Sequence, residues 1–112
     1  MSEAPTRTAL MAAAARAAHL LVDDDPKIFE DTVALALLGS DADELVEFHR
    51  SSAEAELAAS LRVTMTTRSR YVEQRLAKAV RRGVDQYVIL GAGLDSFPYR
   101  SPLVDEVRER TA

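Results

Sequence analysis

The sequence predicts an α/β chain that is mostly helical as it stands, a helical N-terminal region leading into the first strand of a sheet. Two observations carry this reading. Residues 8–22, 27–38 and 54–82 contain neither Gly nor Pro and hold helix formers or helically spaced apolar residues. Residues 86–100, QYVILGAGLDSFPYR, then run a short apolar segment into a turn bearing Gly91 and Gly93. Such a turn after the first strand of an α/β sheet is where a nucleotide-like cofactor lies, because glycine lets backbone approach a ligand closely. Only residues 101–112 follow, so the rest of such a sheet is not expected within the chain.

Residues 1–7 are polar, and the alanine-dense residues 8–22 form the first helix. Asp23, Asp24 and Asp25 interrupt it; Asp25 is placed to cap, and Pro26 to open, a second helix. Phe29, Val33, Ala36 and Leu37 recur there at helical spacing until Gly39 supplies the stop. A third helix starts at Asp41, where Asp41 and Glu44 approximate a capping box, with Leu45, Phe48 and Ser52 on its inward side. Residues 54–82 allow one long helix or two abutting ones, ending at Gly83. Residues 87–90 form a continuous apolar run that suits a strand buried on both faces. A lone strand of that kind leaves its backbone groups without neighbours. Pro102 and the residues after it are expected to begin a helix returning across the sheet. The chain thus divides into a helical region, residues 1–83, and the start of a sheet domain, residues 84–112.

With 112 residues and 47% hydrophobic content the chain has the size and apolar supply of a single domain. A net charge of -4 argues against sequence-independent nucleic-acid binding, which needs clustered cations. The absence of Cys excludes disulfides and thiolate metal sites, and two separate His residues make no ligand cluster, so no metal is expected and the compartment is read as cytoplasmic. The apolar residues 9–22 are interrupted by Arg16 and His19 and fall short of the roughly 20 residues that span a bilayer. Arg16 also sits where the apolar core of a secretory signal would be.

Gly91, Ala92 and Gly93 form the turn, and Asp95 adds a carboxylate near the next helix start. A dinucleotide fingerprint needs a third glycine where Ser96 stands, which disfavours a nicotinamide cofactor; a glycine turn that merely ends a strand is the bland alternative. Projected at about 100° per residue, Leu57, Leu61, Met65, Val72, Leu76 and Ala79 fall on one apolar stripe, with Arg68 in its middle and Arg70 on the opposite side. A guanidinium on a buried face needs an anion. Arg68 is therefore a candidate to hold a ligand carboxylate; alternatively it snorkels, or pairs with an internal acid such as Asp31.

Together, Arg7–Ala9 (RTA), ARAAHLL, DPKIFEDTVALALLG, TTRSRYVEQRL and QYVILGAGLDSFPYR resemble the bacterial S-adenosylmethionine-dependent methyltransferases related to leucine carboxyl methyltransferases. The resemblance implies a Rossmann-like class I methyltransferase fold, with a helical cap over the cofactor and residues 91–93 on the S-adenosylmethionine side of the sheet. It also implies that Arg68, from the TRSR position, approaches the cofactor's methionine carboxylate. Thr32 stands where the family usually has proline. Family members continue for well over a hundred further residues, which carry the acid that holds the ribose and the acceptor pocket.

The implied reaction is in-line displacement, in which an oxygen of a small-molecule or protein acceptor attacks the sulfonium methyl. A carboxylate acceptor needs no general base, whereas a hydroxyl acceptor wants one; no catalytic residue is assigned. His19 and His49 each look isolated in helical patterns, and the run of three Asp reads as a solvated turn. The competing reading is a truncated, non-catalytic helical interaction protein that self-associates, or pairs with a separate C-terminal portion.

Overall fold

Thr6 sets the start of the first helix. Its Oγ1 accepts a hydrogen bond from the Ala9 amide at 3.1 Å, and α1 runs Arg7–Val22. The computed structural model describes residues 4–51, 53–90, 92–105 and 108–111, with residues 105 and 108–111 given as backbone. After α1 come α2 (Ala34–Leu38), a 3-10 turn (Gly39–Asp41), α3 (Ala42–Arg50), α4 (Ala55–Arg81), β1 (Gln86–Ile89), α5 (Phe97–Arg100), a second 3-10 turn (Pro102–Asp105) and β2 (Arg108–Thr111).

Alanine is what makes α1 the centre of the helical region. Ala13, Ala14 and Ala17 are buried with Ala34, Leu38, Leu45 and Val46 in one cluster, and their small side chains let α2, α3 and α4 all approach α1. α4 is a single unbroken helix, about 40 Å long at 1.5 Å per residue. Gly83, at φ 101°, closes it: the Gly83 amide donates to Val80 O and the Val84 amide to Ala79 O, both at 3.0 Å, the pairing of a Schellman cap. Farther along α4, Leu76 and Phe97 form a second cluster with Val80, Tyr87 and Leu103. Tyr87 meets Phe97 edge-on, with ring centroids 4.9 Å apart.

Three expectations need correction. The helix expected from Pro26 begins only at Ala34. Side chains take the amides that a helix would otherwise use: Ile28 N donates to His19 Nε2 at 3.0 Å, and Val33 N and Ala34 N donate to Asp31 Oδ1 at 3.1 and 3.0 Å. No side chain caps α3 from Asp41, which instead ends the 3-10 turn, and His49 joins Leu45 and Val46 on the buried side. Of the other two residues expected there, Phe48 is half-buried and Ser52 lies outside the described residues.

The third correction concerns the sheet. Residues 108–111 form a strand rather than a returning helix, and β2 pairs in parallel with β1 from Gln86 opposite Arg108 to Ile89 opposite Thr111. β1 thereby gains a neighbour for its backbone groups. Nor is it buried on both faces: Ile89 is buried and Tyr87 partly so, whereas Val88 and Leu90 are 50% and 77% exposed. The period-2 alternation of a strand puts the first pair on the inward face, where Tyr87 meets Phe97, and the second toward solvent. Among the described residues, no helix is long and apolar enough to cross a membrane.

A polar network is buried beside the alanine cluster. Arg62 of α4 forks onto Asp23, Nε to Oδ2 at 2.9 Å and Nη2 to Oδ1 at 3.1 Å. His19 Nδ1 meets the same Oδ2 at 2.7 Å, and Arg62 Nη1 points at His49 Nδ1 at 3.3 Å. The first Asp of the acidic run is thus a structural ion rather than part of a solvated turn, and the two histidines share one network. Because Arg62 can only donate, His49 Nδ1 is an acceptor, which leaves its buried Nε2 without a partner among the described residues. Burial, then the adjacent Arg62 charge, push His49 below its ordinary value of 6.5, against a smaller opposing pull from Asp23.

A histidine held neutral in the fold adds stability that is complete above its unfolded pKa of about 6.5 and is lost as pH falls toward the lower folded value. Thermal melts between pH 7.5 and 5 will show the midpoint falling on the acid side, and His49→Gln will flatten that part of the profile. An unchanged acid-side slope in the variant would assign the titration elsewhere.

Candidate functional site

A cleft of about 880 Å³ opens between α1, α4 and the turn that follows β1. Met11, Ala12 and Arg16 of α1 line one side, and Leu61, Met65, Arg68, Val72 and Glu73 of α4 another. The turn contributes Ala92, Gly93, Leu94, Asp95 and Ser96. Four of the five residues proposed as ligand-binding, Arg68, Ala92, Gly93 and Asp95, therefore border one space; Gly91 lies outside the described residues.

The turn owes its shape to two local causes. Gly93 adopts φ 53°, the left-handed region that side chains disfavour, and the Asp95 amide donates to Ala92 O at 2.9 Å to close the bend. Asp95 then ends the turn by accepting from the Phe97 amide at 2.9 Å, so its carboxylate caps α5 as well as bordering the cleft.

Arg68 reaches the cleft, but not for the reason the helical projection suggests. The residues of α4 that are buried are Ala58, Arg62, Thr66 and Leu76, whereas Arg68 is exposed and Leu57 and Val72 are about half exposed. Leu61, Met65, Arg68 and Val72 do share a stripe, and it faces the cleft rather than the core. No desolvated charge therefore requires a counter-ion at Arg68. No acceptor pairs with it among the described residues, so its guanidinium is uncommitted. The internal acid suggested as its alternative partner, Asp31, is taken by Arg16.

That pairing is the most buried part of the site. Arg16 Nε donates to Asp31 Oδ2 at 2.8 Å and Arg16 Nη2 to Leu94 O at 2.6 Å. Ser96 Oγ donates to the same Asp31 oxygen at 2.6 Å and accepts from Arg100 Nε at 2.8 Å. Arg100 Nη1 donates to Glu73 Oε1 at 2.8 Å, Arg100 Nη2 pairs with Glu73 Oε2, and the guanidinium lies over the Phe29 ring, 4.6 Å from its centroid. Burial alone would raise the Asp31 pKa; the bonds from Ser96 and Arg16 and the Arg16 charge outweigh it and hold the carboxyl below its ordinary value. Burial likewise works to lower the Arg100 pKa, but Glu73's bond and charge win and raise it.

The family model described as leucine carboxyl methyltransferase matches residues 9–109. The chain belongs to this family. Among curated relatives, YktD of Bacillus subtilis (strain 168), provisionally named an S-adenosyl-L-methionine-dependent methyltransferase, is 33% identical over 115 residues. That alignment covers 85% of this chain and 38% of YktD. A protein of Mycobacterium marinum (strain ATCC BAA-535 / M) with the same provisional description is 31% identical over 115 residues, covering 95% of this chain and 36% of the relative. This leucine carboxyl methyltransferase family member thus spans less than two fifths of the length of either relative.

Sequence reasoning singled out the glycine turn and Arg68 as candidates, and named Asp31 as an internal acid, but did not bring Arg16, Asp31, Glu73, Ser96 and Arg100 together as one network. The signal for these was weak: each pair is separated by 15 or more positions except Ser96 and Arg100, whose i, i+4 spacing was readable. Among the described residues no group of His, Asp and Glu could hold a metal ion.

Removing the Asp31 carboxylate leaves Arg16 uncompensated and two amides unpaired, a change that costs about 3–5 kcal/mol when a buried ion loses its partner. Asp31→Ala is expected to lose that much in urea unfolding, while the exposed Thr32→Ala beside it changes stability by less than about 0.5 kcal/mol. Equal losses at the two positions would deny Asp31 its structural role.

Proposed function

We propose that this chain contributes one wall of an S-adenosylmethionine site in a methyltransferase that transfers a methyl group to an oxygen of a small-molecule or protein acceptor. The reading rests on family membership, on the relatives' names and, within the chain, on one observation: Arg68 is a cleft-lining guanidinium with no acceptor among the described residues, beside a turn whose backbone bends through a left-handed glycine. Arg16 and Arg100 line the same cleft but are neutralised by Asp31 and Glu73. A carboxylate entering the cleft thus finds Arg68 as its available fork. The cleft's volume falls within the range of about 300–1,000 Å³ typical of small-ligand pockets.

In this reading residues 1–83 form a helical cap and residues 84–112 open a Rossmann-like domain. The parallel pairing of β1 with β2 across α5 is how a doubly wound sheet begins. When bound, S-adenosylmethionine supplies an activated methyl group. The chain's own residues bind and orient: Arg68 takes the amino-acid carboxylate, the backbone of residues 91–93 lies against the ligand, and Leu61, Met65 and Val72 exclude water from its apolar parts. Asp95 borders the ligand while its capping bond keeps the turn closed.

Calorimetric titration with S-adenosylhomocysteine and with 5′-methylthioadenosine, which lacks the amino-acid carboxylate, tests the assignment. Arg68→Ala is expected to weaken S-adenosylhomocysteine about tenfold or more, the loss of a charged hydrogen-bonded pair, and to leave 5′-methylthioadenosine unchanged. Equal effects on both ligands would remove Arg68 from carboxylate recognition, and no binding of either by the unaltered chain would overturn the site.

A further inference from the structure

Ser96 departs from the dinucleotide pattern because it puts a side chain where the third glycine belongs, and the structure gives that side chain specific work. The residue is 1% exposed, and its hydroxyl is committed twice, donating to Asp31 Oδ2 and accepting from Arg100 Nε. Each partner leads to a different wall of the cleft. Through Asp31 the hydroxyl reaches Arg16 of α1, and Arg16 also grips the turn backbone at Leu94 O. Through Arg100 it reaches Glu73 of α4, five residues beyond Arg68 on the same helix.

We infer that Ser96 is a positioning residue for ligand binding, the joint through which α1 and α4 fix the glycine turn at a set distance from Arg68. The inference rests on the cofactor reading above. Its physical basis is that the five linked side chains, Arg16, Asp31, Ser96, Arg100 and Glu73, are all hydrogen-bonded, to one another and to the backbone of residues 33, 34 and 94, so the turn has one low-energy placement. A ligand held at both ends, by backbone at the turn and by Arg68 across the cleft, needs that separation fixed, since binding then does not have to order the wall. A serine provides both a donor and an acceptor from one atom; an alanine leaves the Asp31 oxygen and Arg100 Nε without their shared partner.

Arg68 and Ser96 make different demands on ligands. Arg68 senses only the carboxylate, whereas a loosened turn weakens any ligand that lies against it. Ser96→Ala is therefore expected to weaken S-adenosylhomocysteine and 5′-methylthioadenosine alike, each by about tenfold, the effect expected when a preorganised contact is lost. Its thermal midpoint is expected to fall by several degrees, so affinities are compared well below it, in the folded protein. Undiminished affinity in Ser96→Ala, or a lowered midpoint with unchanged affinity in the folded protein, would reduce Ser96 to a structural residue and overturn the inference. Should Ser96→Ala fail to fold, Arg100→Lys, which keeps the charge but loses the fork onto Glu73 and Ser96, must show the same uniform weakening, and parent-like affinity there overturns the inference equally. Failure of the unaltered chain to bind either ligand sinks the cofactor reading and this role with it.

Discussion

Asp31 is the point on which the structure turns. A carboxylate with no solvent exposure is tolerable only if its lone pairs are filled, and here Arg16, Ser96 and two backbone amides fill them. Each bond fixes something different. The amides of Val33 and Ala34 set where α2 begins, Arg16 binds the residue to α1, and Ser96 reaches a turn 65 positions away in sequence. That carboxylate joins the helical region to the start of the sheet, alongside the Leu76–Phe97 cluster, the Arg100–Glu73 pair and the bond from Arg16 to Leu94 O.

The helical region uses a second arrangement of the same kind at its other end, where Asp23, Arg62 and the two histidines are packed beside the alanines. Ion pairs of this sort are poor sources of net stability, because desolvation offsets much of the attraction. Their value lies in register. An alanine-rich interface is smooth and permits sliding, whereas a forked Arg62–Asp23 pair has one good geometry. The apolar cluster holds α1, α2 and α3 together, and the Arg62–Asp23 fork ties α4 to the end of α1.

How much of this could be read beforehand follows from the range of each interaction. The limits of α1 and α4 lay in local chemistry, Thr6 and Gly83, and the sequence located both helices within a residue or so. The stretch before α2 misled because Phe29 and Val33 have helical spacing, while the competing bonds come from His19 and from the buried Asp31 side chain. The α4 stripe was found, but an apolar cleft wall and an apolar core face look alike in sequence, so its burial was misread. The second strand was missed because RERT carries no apolar pattern, and its pairing with β1 is a tertiary matter. That Arg68, Ala92 and Gly93 border one cleft was suggested by family motifs; the Asp31 network, made of ordinary polar and charged residues far apart, was not legible.

Arg62 and Arg68 illustrate what the rotational phase of one helix decides. They sit on the same unbroken α4, six positions and about 120° of helical rotation apart. One faces inward and is consumed by Asp23; the other faces the cleft and has no partner among the described residues. Neither role is intrinsic to arginine. A single residue inserted between them would turn each side chain by about 100° relative to the other, enough to carry a guanidinium off its face. The count of residues from Arg62 to Arg68 thus acts as an address, and it is set by the fork onto Asp23 at one end rather than by anything in the cleft itself.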